Sequence, residues 1–269
     1  MSEIAVGIAT AISLAMAAML GVFQLKRING PSRLDEGEPS TIVLTVAGAG
    51  LFFWGMVSLI ADQTVLRRPP NTPLSAKEQV LLNGAMYLAG LTAMILTTLR
   101  IRKNGLHRLG AGLSQVAPGL IAGCLSIAIV LPLIFWIQSG SEYLWTLLGQ
   151  QHNSAHALLI LLGNTQSIWL RSAIVVTAVV VAPLTEEMFF RGQIQTFFRY
   201  AFRSPWLAVL LTSIAFAYVH EWWTRPSIFF LGFCLGYLYE RTGNLWACVV
   251  LHAMFNLASI MIYVHATGG

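Results

Sequence analysis

Residues 168–190 read IWLRSAIVVTAVVVAPLTEEMFF. The run matches the ~20 apolar residues an α-helix needs to cross the hydrocarbon core of a bilayer. In lipid every backbone N–H and C=O must be satisfied within the segment, so such a run is a helix rather than an open strand or a loop. Comparable runs precede it at 4–25, 41–61, 79–99 and 115–138, and shorter or interrupted ones follow at 205–220, 227–240 and 245–265. The expected fold is all-α: a polytopic membrane protein of about eight transmembrane helices. Composition agrees, since 56% of the 269 residues are apolar and 10% are charged, against about 25% charged in a typical soluble chain. A mean hydropathy of +0.69 also excludes a disordered chain.

Charge reports topology here, because Lys and Arg near helix ends stay on the cytoplasmic side. With the N-terminus outside, Lys26, Arg27, Arg33, Arg100, Arg102, Lys103, Arg108, Arg191, Arg199, Arg203 and Arg241 fall inside, and Arg67, Arg68, Lys77, Arg171 and Arg225 fall outside. Both termini are then extracytoplasmic, and the membrane is the inner one if the chain is bacterial. The first run opens Met1-Ser2-Glu3, without the positive charge of a signal peptide, and reads as a retained anchor. Basic residues scattered between apolar blocks leave no patch for nucleic acid. Cys124, Cys234 and Cys248 sit inside apolar runs with no paired spacing, so they read as buried small side chains rather than disulfides or zinc ligands. The connectors 26–40 and 62–78 are ordinary loops, and 139–167 reads as an outer loop with an interfacial stretch at Tyr143-Leu144-Trp145. No repeat or linker divides the chain, which is one membrane domain with N-terminal helices at 1–164 and a functional core at 165–265.

An ionisable side chain at bilayer depth costs at least a few kcal/mol and is a functional hypothesis by default. Such residues gather after residue 180, whereas the first four runs carry almost none, so function is not expected there. Arg191 follows Glu187 by four positions, on the same helical face and within ion-pair reach. Glu186 is rotated by about 100° from Glu187 and is left as a proton acceptor or donor. Pro183 is expected to kink this helix. Two further motifs, Phe216-Ala217-Tyr218-Val219-His220 and His252-Ala253-Met254-Phe255-Asn256, each place their ends on one helical face. With an inner turn at Arg203-Ser204-Pro205, Glu186 and His220 lie 17 positions on either side of Arg203. That separation is about 25 Å along each helix, so the two lie at similar depth. A cluster of Glu186, His220, His252 and Asn256 is expected. The Gly232-xxx-Gly236 pair is expected to let the His252 helix approach closely.

In this order, Glu186-Glu187 with Arg191, Phe216 with His220, and His252 with Asn256 resemble the signature of the CAAX protease and bacteriocin-processing (CPBP) family of intramembrane proteases. That family is also called the Abi or type II CAAX prenyl endopeptidase-like family. The resemblance covers roughly residues 165–260, including the approach Tyr239-Glu240-Arg241-Thr242-Gly243-Asn244-Leu245-Trp246. It implies an intramembrane endopeptidase whose catalytic core lies in the C-terminal four helices. Glu186 would be the general base activating water, assisted by His220. His252 and Asn256 would donate to the oxyanion, and Glu187, Arg191 and Phe216 would support the site. The implied partners are the bilayer and a hydrophobic or lipidated peptide or protein substrate. No cofactor is required in this mechanism. The family is also described as metal-dependent, which would place zinc on Glu186, His220 and His252.

Against a zincin, the single His-Glu dipeptide is His220-Glu221 and position 224 is Thr, so no HExxH pair forms. No Gly-x-Ser-x-Gly elbow is present, and the buried segments hold no aspartate for an aspartyl dyad. Two other classes compete. One is a membrane immunity or scaffold protein that keeps the motif without turnover. The other is an ion- or proton-coupled transporter, which would be expected to show the paired repeats absent here.

Overall fold

The computed structural model describes residues 48–51, 74–101, 104–152 and 155–267. The expected helix at 4–25, most of that at 41–61, the connector 26–40 and most of 62–78 fall outside the described residues. So do Lys26, Arg27, Arg33, Arg67, Arg68, Arg102 and Lys103. The described chain contains α1 (Ala76–Ile101), α2 (Gly105–Arg108), α3 (Val116–Leu147) and α4 (Ala157–Asn164). These are followed by α5 (Ile168–Phe202), α6 (Pro205–Tyr218), α7 (Arg225–Thr242) and α8 (Leu245–Thr267). No strand occurs among the described residues. Four stretches are long and apolar enough to cross a membrane: α1, Gly105–Leu147, α5 and α8. Of the six expected runs that lie wholly within the described residues, those at 79–99, 115–138, 168–190 and 245–265 fall in these four stretches. α6, with 14 residues, is shorter than a span needs, and α7 carries Arg225, Glu240 and Arg241.

Two helices outrun their apolar runs, for reasons visible in their side chains. α3 continues through 139–147, where Ser139, Ser141 and Thr146 satisfy their hydroxyls within the helix by donating to the carbonyls of Phe135, Ile137 and Glu142, four residues back. The stretch around Tyr143-Leu144-Trp145 is thus helix rather than loop. α5 continues past Phe190 because its polar side chains find partners on α7. Arg191 Nη2 donates to Gly232 O at 3.1 Å. Gln195 Nε2 donates to Gly236 O and to Glu240 Oε1, each at 3.0 Å. Arg199 Nη1 pairs with Glu240 Oε2 at 3.0 Å. These residues recur every four positions on both helices, so one zipper joins one face of α5 to one face of α7. Arg191, assigned above to the inner-side charges, is fully buried in this seam and does not report topology.

Polarity is distributed as lipid requires. Large apolar side chains face outward, among them Leu81, Leu88 and Leu96 on α1 and Trp169 on α5, whereas Glu187, Arg191, Gln193, Gln195, Ser213 and His252 are buried. Arg203, in the left-handed region at φ 50°, ends α5, and the Ser204 hydroxyl caps α6 at Leu207 N, 3.3 Å away. This tight reversal lies where the sequence places the inner turn.

The glycines correct one expectation. A Cβ on Gly232 would lie 3.3 Å from Ser213 Cα, and one on Gly236 would lie 3.2 Å from Val209 Cγ1, so this pair faces α6 rather than the His252 helix. The close approach to α8 belongs to Gly119 and Gly123 of α3. A Cβ on Gly123 would stand 2.7 Å from Val250 Cβ and 2.8 Å from Ala247 O. Gly123→Val is expected to force α3 and α8 apart and to lower stability by about 1–3 kcal/mol. Thermal unfolding in detergent checks this, and an unchanged midpoint would contradict the packing. α1 packs on α5, and α3 packs on α7 and α8, so both N-terminal spans join the C-terminal helices.

Candidate active site

The residues singled out by their motifs lie on α5, on α8, in the last turn of α6 and just beyond its end. Within α5, the turn bearing Glu186 and Glu187 is ordinary α-helix between two π-helical segments, Thr177–Val181 and Phe190–Gln195. Such π turns are rare and recur at functional sites. Pro183 accounts for the first. The Ala182 N–H reaches back to Thr177 O, a five-residue step. On that register the next donor, to Ala178 O, would be Pro183, which has no N–H. Asn256 Nδ2 supplies the missing bond to Ala178 O at 2.8 Å. The helix therefore runs through Pro183 with a widened turn, and Asn256 keeps a second N–H uncommitted to that carbonyl.

The adjacent carboxylates have different surroundings. Glu187 is sealed. Its Oε1 accepts from Arg191 Nη1 at 2.9 Å, with both side chains fully buried, and from His252 Nδ1 at 2.8 Å. The four-residue spacing identified this ion pair correctly. The Arg191 guanidinium also lies 4.5 Å from the centre of the Phe216 ring, a cation–π contact. Phe216, itself fully buried, joins the motifs: its ring centre is 4.7 Å from that of His220 and 5.6 Å from that of His252.

Glu186, like Glu187, is bonded through one oxygen only, but without a charged partner. Its Oε1 accepts the Tyr87 hydroxyl at 2.8 Å. Its Oε2 has no hydrogen-bond partner and faces His252 Nε2 at 3.9 Å. The Glu186 side chain is 16% exposed, against 0% for Glu187. His220, two residues past the end of α6, places Nδ1 2.7 Å from Phe216 O. A carbonyl can only accept, so Nδ1 carries the proton and the neutral ring presents Nε2 with a lone pair. Glu186, Glu187 and His252 thus meet directly, with His220 beside them across the Phe216 ring and Asn256 one turn along α8 on the π-turn carbonyl.

Two features escaped the sequence. Tyr87 comes from α1, which carried no functional expectation; a lone tyrosine in an apolar run gives no sign of a partner 99 positions away. The connector after α3 is also engaged. His152 stacks on Trp223 with ring centres 4.6 Å apart, and His156 Nε2 lies 3.8 Å from Glu221 Oε1. Gln151, His152, Glu221, Trp222 and Trp223 line an open cleft of about 600 Å³ next in sequence to His220.

Residues 167–258 match the family model described as type II CAAX prenyl endopeptidase Rce1-like. Neither the curated proteins nor the solved structures gave a match. The matched stretch begins one residue before α5, ends within α8, and holds every motif residue, while α1 with Tyr87 lies upstream of it. Residues 167–258 are thus similar to the Rce1-like type II CAAX prenyl endopeptidases, and they are set among helices apolar enough to make the chain an integral membrane protein.

Proposed function

We propose that the protein is an intramembrane endopeptidase that hydrolyses a peptide bond of a prenylated or otherwise hydrophobic membrane-associated peptide or protein, with Glu186 as the base that activates water. The observation that carries this reading is the contrast between the two carboxylates. Each leaves one oxygen without a hydrogen bond, but Glu187 is fully buried with its charge spent on Arg191 and His252, whereas Glu186 is 16% exposed, accepts only the uncharged Tyr87 hydroxyl and turns its open oxygen toward His252 Nε2. Oε2 of Glu186 takes a proton from water as the hydroxide attacks the scissile carbonyl carbon, and returns it to the leaving amine when the tetrahedral intermediate collapses. The lone pair on His220 Nε2 orients the water. His252 Nε2–H and the second N–H of Asn256 donate to the oxyanion, where fixed donors in a dry site act strongly. Donation from Nε2 requires the His252 ring to be protonated on both nitrogens, and Glu187 on Nδ1 is the partner such a ring needs.

Zinc on Glu186, His220 and His252 is the second reading. It has one supporting observation: both imidazoles commit Nδ1 to a hydrogen bond, as metal-bound histidines commit one ring nitrogen. Among the described residues, however, no three His, Cys, Asp or Glu side chains converge closely enough to hold an ion, so no step is routed through a metal.

Cleavage of a library of prenylated and hydrophobic peptides by the detergent-purified full chain, with and without a strong chelator, tests both readings. Cleavage lost in Glu186→Ala and indifferent to chelator is the expected result. Loss with chelator, restored by zinc, would replace the glutamate mechanism. Cleavage of no member would favour a scaffold or immunity protein that keeps the motif.

A further inference from the structure

The Rce1-like segment begins at residue 167, yet among the described residues the hydrogen bond to the Glu186 carboxylate comes from residue 87. Tyr87 sits on α1, and its contact with α5 is double: the hydroxyl donates to Glu186 Oε1 at 2.8 Å, and the Tyr87 carbonyl faces the Thr185 hydroxyl at 3.4 Å. Thr185 in turn donates to Val181 O, the end of the first π-helical segment, at 2.7 Å. Adjacent residues of α5 therefore meet the same residue of α1, which fixes the position of the phenol relative to the carboxylate.

The partner matters as much as the contact. A buried tyrosine hydroxyl usually finds some acceptor, and the carbonyls of a helix are the common choice. Here the acceptor is a carboxylate whose other oxygen is buried, unpartnered and turned toward His252. A carboxylate rotates freely about its terminal bond unless something holds one oxygen. With Oε1 occupied, Oε2 is the oxygen presented on the His252 side.

We propose that Tyr87 is a positioning residue of the active site, contributed by α1 from outside the Rce1-like segment, whose hydroxyl orients the Glu186 carboxylate so that Oε2 faces the water to be activated. The role rests on the reading of Glu186 as the base. Without the hydroxyl the carboxylate still exists and substrate still binds, so the loss falls on turnover.

Two measurements on the full chain in detergent separate this proposal from that reading. With an internally quenched farnesylated peptide as probe, Tyr87→Phe is expected to lower kcat about tenfold while KM stays within about twofold, the loss of one charge-assisted hydrogen bond made to the base. The second needs no turnover and little perturbation of packing. With 3-fluorotyrosine at position 87, the ¹⁹F resonance is expected to move on Glu186→Ala and to stay in place on Glu142→Ala. An unmoved resonance in Glu186→Ala, or an unchanged kcat in Tyr87→Phe while Glu186→Gln abolishes cleavage, overturns the role of Tyr87 and leaves Glu186 as the base. A resonance that moves in a protein whose cleavage is the same with and without Glu186 overturns the reading of Glu186, and the positioning role falls with it.

Discussion

Arg191→Leu is expected to destabilise the protein by about 3–5 kcal/mol, the usual result of removing one member of a buried ion pair. Leucine leaves Glu187 fully buried with His252 as its one remaining partner. It also strips Gly232 O of its donor and Phe216 of the cation over its ring. Because Phe216 touches both His220 and His252, the rings of the site lose their common support. Any surviving folded fraction should be slow as well as unstable. Chemical denaturation in detergent measures the first effect. A loss below about 1 kcal/mol would mean that the pair is not the keystone the geometry makes it.

The second large effect is on rate alone. Glu186→Gln keeps the size of the side chain and an oxygen that can accept from Tyr87, but the amide cannot take a proton from water. General-base catalysis contributes about 10²–10⁴ in rate, so kcat/KM should fall by that factor while the unfolding midpoint changes little. Steady-state cleavage of a prenylated peptide checks it.

How much of this was legible from residues alone differs from one feature to the next. The Glu187–Arg191 pair could be read from a four-residue spacing, because helix geometry is fixed and local. The approach of His252 to Glu186 could be expected because each motif places a costly polar group on an apolar helix, and such groups gather where they can satisfy one another. Helix ends were harder to read. Polar residues after 138 and after 190 look like loop or interface until Ser139 and Ser141 are seen bonding back into their own helix, and Arg191, Gln195 and Arg199 bonding to α7. Glycine pairs announce a close approach without naming the neighbour, hence the reversal of Gly232-Gly236 and Gly119-Gly123. Tyr87 was out of reach, since nothing in α1 encodes which helix its hydroxyl will meet. The π turn was half legible: Pro183 marks a missing donor, but only the fold shows that Asn256 replaces it.

The most direct test of the divided roles of Glu186 and Glu187 is to measure cleavage rate and unfolding midpoint together for Glu186→Gln and Glu187→Gln. The geometry predicts crossed results. Glu186→Gln should melt near the wild type and cleave at least about 100-fold more slowly. Glu187→Gln should lose several kcal/mol of stability by leaving Arg191 without its buried counter-charge. A Glu186→Gln protein that cleaves at the wild-type rate would contradict Glu186 as the base.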